Sequence, residues 1–227
     1  MENYINNLLF TYLPHIAFAV FWFGLITRIV YANRSIQARS TQLLADKRIR
    51  PGSNLFHAGI LAVLLGHFTL LIPERLYHLI MTTETKRLIA LCMGSFFGIL
   101  AIVGMTLLVY RRLSVKTVKS TSNFHDYFIL ILLLAEAALG MISVGTTASG
   151  TVEQYAALGI WAQKVITFQP DAGAVIASHS IIYKIHIVIG LVVIMIFPYT
   201  KLMHMLVMPL VYFFRSGFLL IRKSMKF

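Results

Sequence analysis

The sequence predicts an all-α integral membrane protein with five transmembrane helices. Three observations lead there. Five apolar runs are long enough to cross a bilayer, charged residues make up only 12% of 227, and Lys and Arg concentrate in alternate connections. A soluble domain carries about 25% charged residues. Here 58% of residues are hydrophobic and the mean hydropathy is +0.79.

A spanning helix needs about 20 apolar residues. The runs are 8–31, 54–72, 88–110, 126–147 and 181–206. Alternation with a period of two is absent from them, which excludes a transmembrane β-barrel. The first run is preceded by Glu2 without Lys or Arg, and no small-residue cleavage pattern follows, so it reads as a retained anchor. The fifth run contains Pro198. The next stretch, 207–221, is apolar but carries Pro209, Arg215 and Gly217. It reads as part of a cytoplasmic tail, 207–227, that contacts partner subunits, not as a sixth span. The connection 148–180 holds Trp161, Phe168 and Pro170 and is too apolar for a solvated loop. A short helix at the outer interface is expected there. The chain reads as one domain, 1–227. The single cysteine, Cys92, gives no disulfide or thiolate cluster and reads as packing.

The formal net charge is +12. Such an excess can mark a nucleic-acid partner, but in a membrane chain it marks cytoplasmic connections. Summed over alternate sides, fifteen of the 20 basic residues fall on one side and five on the other. The rich side holds the first and third connections and the C-terminal region, so the N-terminus is expected outside and the C-terminus in the cytoplasm.

Two runs carry two histidines each: His57 and His67 on the second, His186 and His204 on the fifth. Polar groups within a bilayer are costly and usually functional. The topology assigns depths, with His57 and His204 towards the cytoplasm and His67 and His186 towards the outside. Depth therefore pairs His67 with His186 and His57 with His204. Neutral imidazole is a good ligand for haem iron, and two pairs point to two bis-histidine haems. Another metal, a proton pathway or structural histidines are the competing readings of spacing alone. Rise leaves a conflict. Ten residues of helix between His57 and His67 rise about 15 Å, and eighteen between His186 and His204 about 27 Å. Either the fifth helix is strongly tilted or bends, a bend that Pro198 could supply, or His78 replaces His67, since it lies about 31 Å from His57 along a straight helix. Pro73, Glu74 and Arg75 argue that the helix ends before His78. His15, His125 and His179 lie near helix ends and read as interfacial.

The order of several fragments then resembles one family. They are Ser53-Asn54-Leu55-Phe56-His57, Gly66-His67-Phe68, Lys86 at the opening of the third helix, Arg111-Arg112-Leu113, and Trp161-Ala162-Gln163 with Thr167-Phe168. His186 with Val188 and Gly190, Phe197-Pro198, Lys201, His204 and Pro209 complete the series. Across nearly its whole length the chain resembles the gamma subunit of membrane-bound respiratory nitrate reductase, a dihaem cytochrome b. The resemblance implies two haem b groups between the second and fifth helices, with His67 and His186 on the outer iron and His57 and His204 on the inner. It implies a quinol site at Gly66, His67 and Lys86. It also implies an iron–sulfur beta subunit and a molybdenum-containing alpha subunit as partners.

Arg111 and Arg112 suit propionates of the inner haem and are equally explained as positive-inside charges. Gly94 and Gly98 read as a small-residue packing pair. Glu136, within the fourth run, has no assigned role. Two other functions compete: a dihaem subunit serving a sulfite- or heterodisulfide-type reductase, and a haem-free anchor or transporter.

Overall fold

The computed structural model describes residues 2–32 and 49–206, and no strand occurs among them. Six helices matter for function: α1 (Tyr4–Tyr31), α2 (Ile49–Phe68), α3 (Thr83–Ser114), α4 (Phe124–Ser149), α5 (Val152–Ile166) and α6 (Ile181–Ile196). Five helices are long and apolar enough to cross a membrane, built on α1, α2, α3, α4 and α6. The expected tail, 207–227, and the basic residues Arg34, Arg39, Lys47 and Arg48 lie outside the described residues.

Helix ends follow hydrogen bonding and caps, which continue through charges that bound an apolar run. Thr82 caps α3 by accepting from the Thr85 amide at 3.2 Å. The helix therefore starts at Thr83, five residues before the apolar run, and takes in Lys86. At its other end Arg111 and Arg112 lie in the last turn, not in the connection that follows. Asn123 and Asp126 form a reciprocal capping box that starts α4.

The fifth run is not one helix to residue 206. Helix α6 stops at Ile196, and two 3-10 turns follow, Phe197–Tyr199 and Lys201–Met203. Between them Thr200 is extended, with φ −114° and ψ 178°. Pro198 contributes, because it has no N–H to donate to the Ile194 carbonyl and its ring crowds that carbonyl, so the Phe197 N–H turns to Ile194 instead and the α-helix gives way to 3-10 turns. The same chemistry acts in α1. Pro14 cannot donate to the Phe10 carbonyl, and a π turn spans Leu8–Tyr12 just before it. The indole of Trp161 donates to that carbonyl at 2.9 Å.

The main helix contacts run α2 on α3, α3 on α4, α4 on α6 and α6 on α1. None of these joins α2 to α6, so the two histidine helices face each other across a slot. The α2–α3 contact is close because glycines line it. A Cβ on Gly59 would lie 2.5 Å from the Ala101 nitrogen and 2.7 Å from the Phe97 oxygen, and one on Gly104 would strike the Phe56 backbone. Gly98 meets Met141 and Gly94 meets Val144, so that pair packs α3 on α4 as expected.

The connection 148–180 is helical, as expected. Thr151 and Gln154 box the start of α5. The Gly173 amide donates to Thr11 Oγ1 at 2.8 Å, and His15 sits between the carbonyls of Thr11 and Val165 at 2.6 and 2.9 Å. These bonds seat the connection on the end of α1.

Substituting Gly59→Ala is expected to destabilise the bundle by about 1–3 kcal/mol through overpacking. Thermal unfolding in detergent measures it; an unchanged midpoint would mean that α2 and α3 are not held at this separation.

Candidate functional site

The four histidines singled out by sequence meet in two pairs. The His57 and His204 ring centroids are 6.1 Å apart, as are those of His67 and His186. The break after Ile196 makes this possible. Ten residues separate His186 from Ile196, the same number as His57 from His67, and each length rises about 15 Å. The turns around Thr200 then take up the remaining residues and bring His204 back to His57.

In three of the four rings Nδ1 is hydrogen-bonded, and in His186 it lies at ion-pair distance from a carboxylate. The Nδ1–H of His57 donates to the Ser53 carbonyl at 2.7 Å, and that of His67 to the Val63 carbonyl at 2.8 Å. His204 donates to the Lys201 carbonyl. His186 Nδ1 lies 2.9 Å from Glu136 Oε1. A carbonyl accepts only, so in His57, His67 and His204 the proton resides on Nδ1 and Nε2 keeps a lone pair; in His186 the nearby Glu136 carboxylate favours the same tautomer, without an aligned hydrogen bond. A metal–imidazole bond is about 2.0–2.1 Å, with the ring centroid roughly 1 Å beyond, so two imidazoles on opposite sides of one metal have centroids about 6 Å apart. Spacing and tautomer thus fit bis-histidine coordination at both pairs. Among the described residues no group of three or more His, Cys, Asp or Glu gathers as a metal cluster, and the donors meet in twos.

The remaining histidines form no such pair. The Pro51–Leu71 span ends before His78, whose Nε2 lies 2.9 Å from Thr83 Oγ1 and 3.5 Å from Glu74. His179 Nε2 donates to the Gln154 carbonyl at 3.1 Å. His125 lies beside the Phe124 ring, and His15 stacks on Phe168.

Gly66, His67 and Lys86 converge at the end of α2. Lys86 Nζ donates to the Thr69 carbonyl at 3.0 Å and lies 3.9 Å from the Tyr77 ring centroid. Thr69 Oγ1 donates to the Gly66 carbonyl at 2.6 Å. A cavity of about 40 Å³ beside Lys86 is lined by Tyr77, Tyr155 and Gln163 among others. Its size suits ordered water. Gly66 is exposed, and a Cβ there would meet nothing within 4 Å. Burial and the neighbouring Tyr77 push the Tyr155 phenol up to about 12, so it is a neutral donor at ordinary pH.

Two acidic residues on α4 hold the histidines, and sequence reasoning assigned neither. Glu136 reaches His186, as given above. Asp126 is buried and binds Arg112 at 3.1 Å and Lys201. Lys201 in turn offers its carbonyl to His204. Arg112, expected as a propionate partner, is thus paired with Asp126, and Arg111 is buried in the last turn of α3. The signal available in sequence was a carboxylate within an apolar run, which needs a partner in the bilayer.

The sequence model of the nitrate reductase gamma subunit family matches residues 6–224. The chain belongs to this family. It is 34% identical to the respiratory nitrate reductase 1 gamma chain of Escherichia coli over 217 residues, 94% of this chain and 96% of that one. It is 31% identical to the respiratory nitrate reductase 2 gamma chain of the same organism, over 95% of this chain and 96% of that one. The nitrate reductase gamma chain of Bacillus subtilis is 34% identical over 93% of this chain and 96% of its own length. Family membership and the five apolar helices together make this a multi-pass membrane protein.

Asp126→Asn leaves Arg112 and Lys201 facing a neutral amide. Lys201 is 44% exposed at its side chain, so solvent screening limits the loss, and about 1–3 kcal/mol is expected. Thermal unfolding compared with Lys201→Met measures it; a neutral Asp126→Asn would mean that the ion pairs do not hold the Thr200 break.

Proposed function

We propose that this chain is the dihaem cytochrome b subunit of a membrane-bound respiratory nitrate reductase, oxidising quinol near the outer face. The observation that carries the reading is the double pairing of histidines across the α2–α6 slot, with Nδ1 of His57, His67 and His204 on backbone carbonyls and that of His186 facing Glu136. His57 and His204 would hold the inner haem, and His67 and His186 the outer. A bound haem b supplies a one-electron carrier whose iron, ligated by two imidazoles, leaves no position for substrate.

The protein's own groups do the rest. The Lys86 ammonium, already turned toward the end of α2, donates to a quinol oxygen. Gly66 lets the ring approach the backbone beside His67, because no side chain intervenes. Placing this site at the outer end follows from the basic side being cytoplasmic. Protons lost by quinol then leave outside, and electrons pass inward. On this reading the N-terminus is outer and the C-terminus cytoplasmic. Iron–sulfur beta and molybdenum-containing alpha subunits receive the electrons, with 207–227 as their dock. The gamma-chain relatives support the choice of nitrate reductase over other terminal reductases.

Replacing His67 or His186 by Ala should remove one b-type haem and quinol oxidation, and replacing His57 or His204 should remove the other haem. Reduced-minus-oxidised spectra of purified complex read this. Loss of both haems from every single change, with the protein still folded, contradicts the pairing. Lys86→Ala should keep both haems and lower quinol oxidation roughly ten- to a hundred-fold, the loss of a charged hydrogen bond worth about 1.5–3 kcal/mol. Unaltered turnover would remove Lys86 from the site.

A further inference from the structure

The four histidines differ in what holds Nδ1. Three donate to backbone carbonyls, of Ser53, Val63 and Lys201. His186 alone faces a carboxylate, Glu136 Oε1, at 2.9 Å. Both side chains are largely enclosed, at 17% and 18% exposure. The place is shaped for the pair from both helices. A Cβ at Gly190 of α6 would lie 3.0 Å from Glu136 Oε1, and one at Gly140 of α4 would lie 3.3 Å from the His186 ring. Each glycine clears room for the side chain of the opposite helix. Among the described residues Glu136 Oε2 is buried and accepts no hydrogen bond, His186 Nδ1 makes no aligned hydrogen bond, and each is the other's ion-pair partner at 2.9 Å. The carboxylate is therefore directed at one imidazole in a setting where an unpartnered acid is costly.

We propose that Glu136 is a positioning residue for the outer haem, fixing His186 through Nδ1 and making that haem a weaker electron acceptor than it would be with a neutral partner. This rests on the bis-histidine reading above. A carboxylate on the outer nitrogen of a ligating histidine fixes the tautomer and raises the basicity of the other nitrogen. A more basic ligand favours the oxidised iron, and hydrogen bonding of this kind is a lever on haem potential. Among the described residues the inner pair has no such carboxylate: His204 has the Lys201 carbonyl, and Asp126 acts only through Lys201. Glu136 thus makes the two ends of the slot unequal and biases electrons inward.

The test is a redox titration of the purified complex carrying Glu136→Gln or Glu136→Ala, followed in the b-type bands. His67→Ala identifies which band belongs to the outer haem. Glu136→Gln keeps the shape and an acceptor but not the charge. It is expected to keep both haems and shift the reduction equilibrium of the outer one about tenfold toward the reduced form, or about 59 mV for one electron. Glu136→Ala should shift it at least as far, and the inner haem should not move with either. An unmoved outer haem, or equal shifts in both, overturns the proposal. Absence of two haems from the unsubstituted protein would instead defeat the reading beneath it.

Discussion

The geometry depends on the interruption of the fifth apolar run at Pro198. An unbroken helix would carry His204 about 27 Å from His186, while His57 and His67 are only about 15 Å apart along α2. Only one pair could then close. Ending α6 at Ile196 and extending Thr200 lets both close at the same centroid separation. The break is held in place. Asp126 at the start of α4 binds Lys201 just beyond Thr200, and Lys201 then orients His204. Thr200 lies just past the Ile181–Tyr199 span, and a backbone irregularity at the end of a span needs such partners wherever lipid replaces water, because lipid offers no hydrogen bonds.

The slot follows from packing order. Close glycine contacts hold α2 on α3, and α3, α4, α6 and α1 follow in turn. The two histidine helices therefore meet through side chains across a gap instead of by backbone packing. The His67 end is closed by α5, whose Gln163 amide reaches the Ile72 carbonyl at 3.2 Å and whose Trp161 reaches α1. This cap lies against the end of α2 that carries Gly66 and His67.

Much of this was legible in the residues. Hydropathy is local, so five apolar runs marked five helices. Alternating charge set relative depth, and depth paired the histidines as the structure pairs them, with His78 left as a rival to His67 that only the family resemblance removed. The rise conflict pointed to Pro198 before any coordinates. Less legible were contacts between helices distant in sequence. Nothing local in Glu136 or Asp126 says which neighbour each meets, because that depends on the rotation of α4 about its axis. The capping at Thr82 lay outside the apolar pattern, so Lys86 and Arg112 fell at run edges when they sit inside α3. The glycines that matter most for α2–α3 packing fall outside the four-residue spacing that marked Gly94 and Gly98: Gly104 lies six residues beyond Gly98, and Gly59 is on another helix.

The central claim is that each histidine pair across the slot holds one haem iron. The most direct measurement is the haem b content of the purified complex per mole of this chain, by pyridine haemochrome against quantitative protein analysis. The account predicts two. One haem per chain, or none, would contradict it.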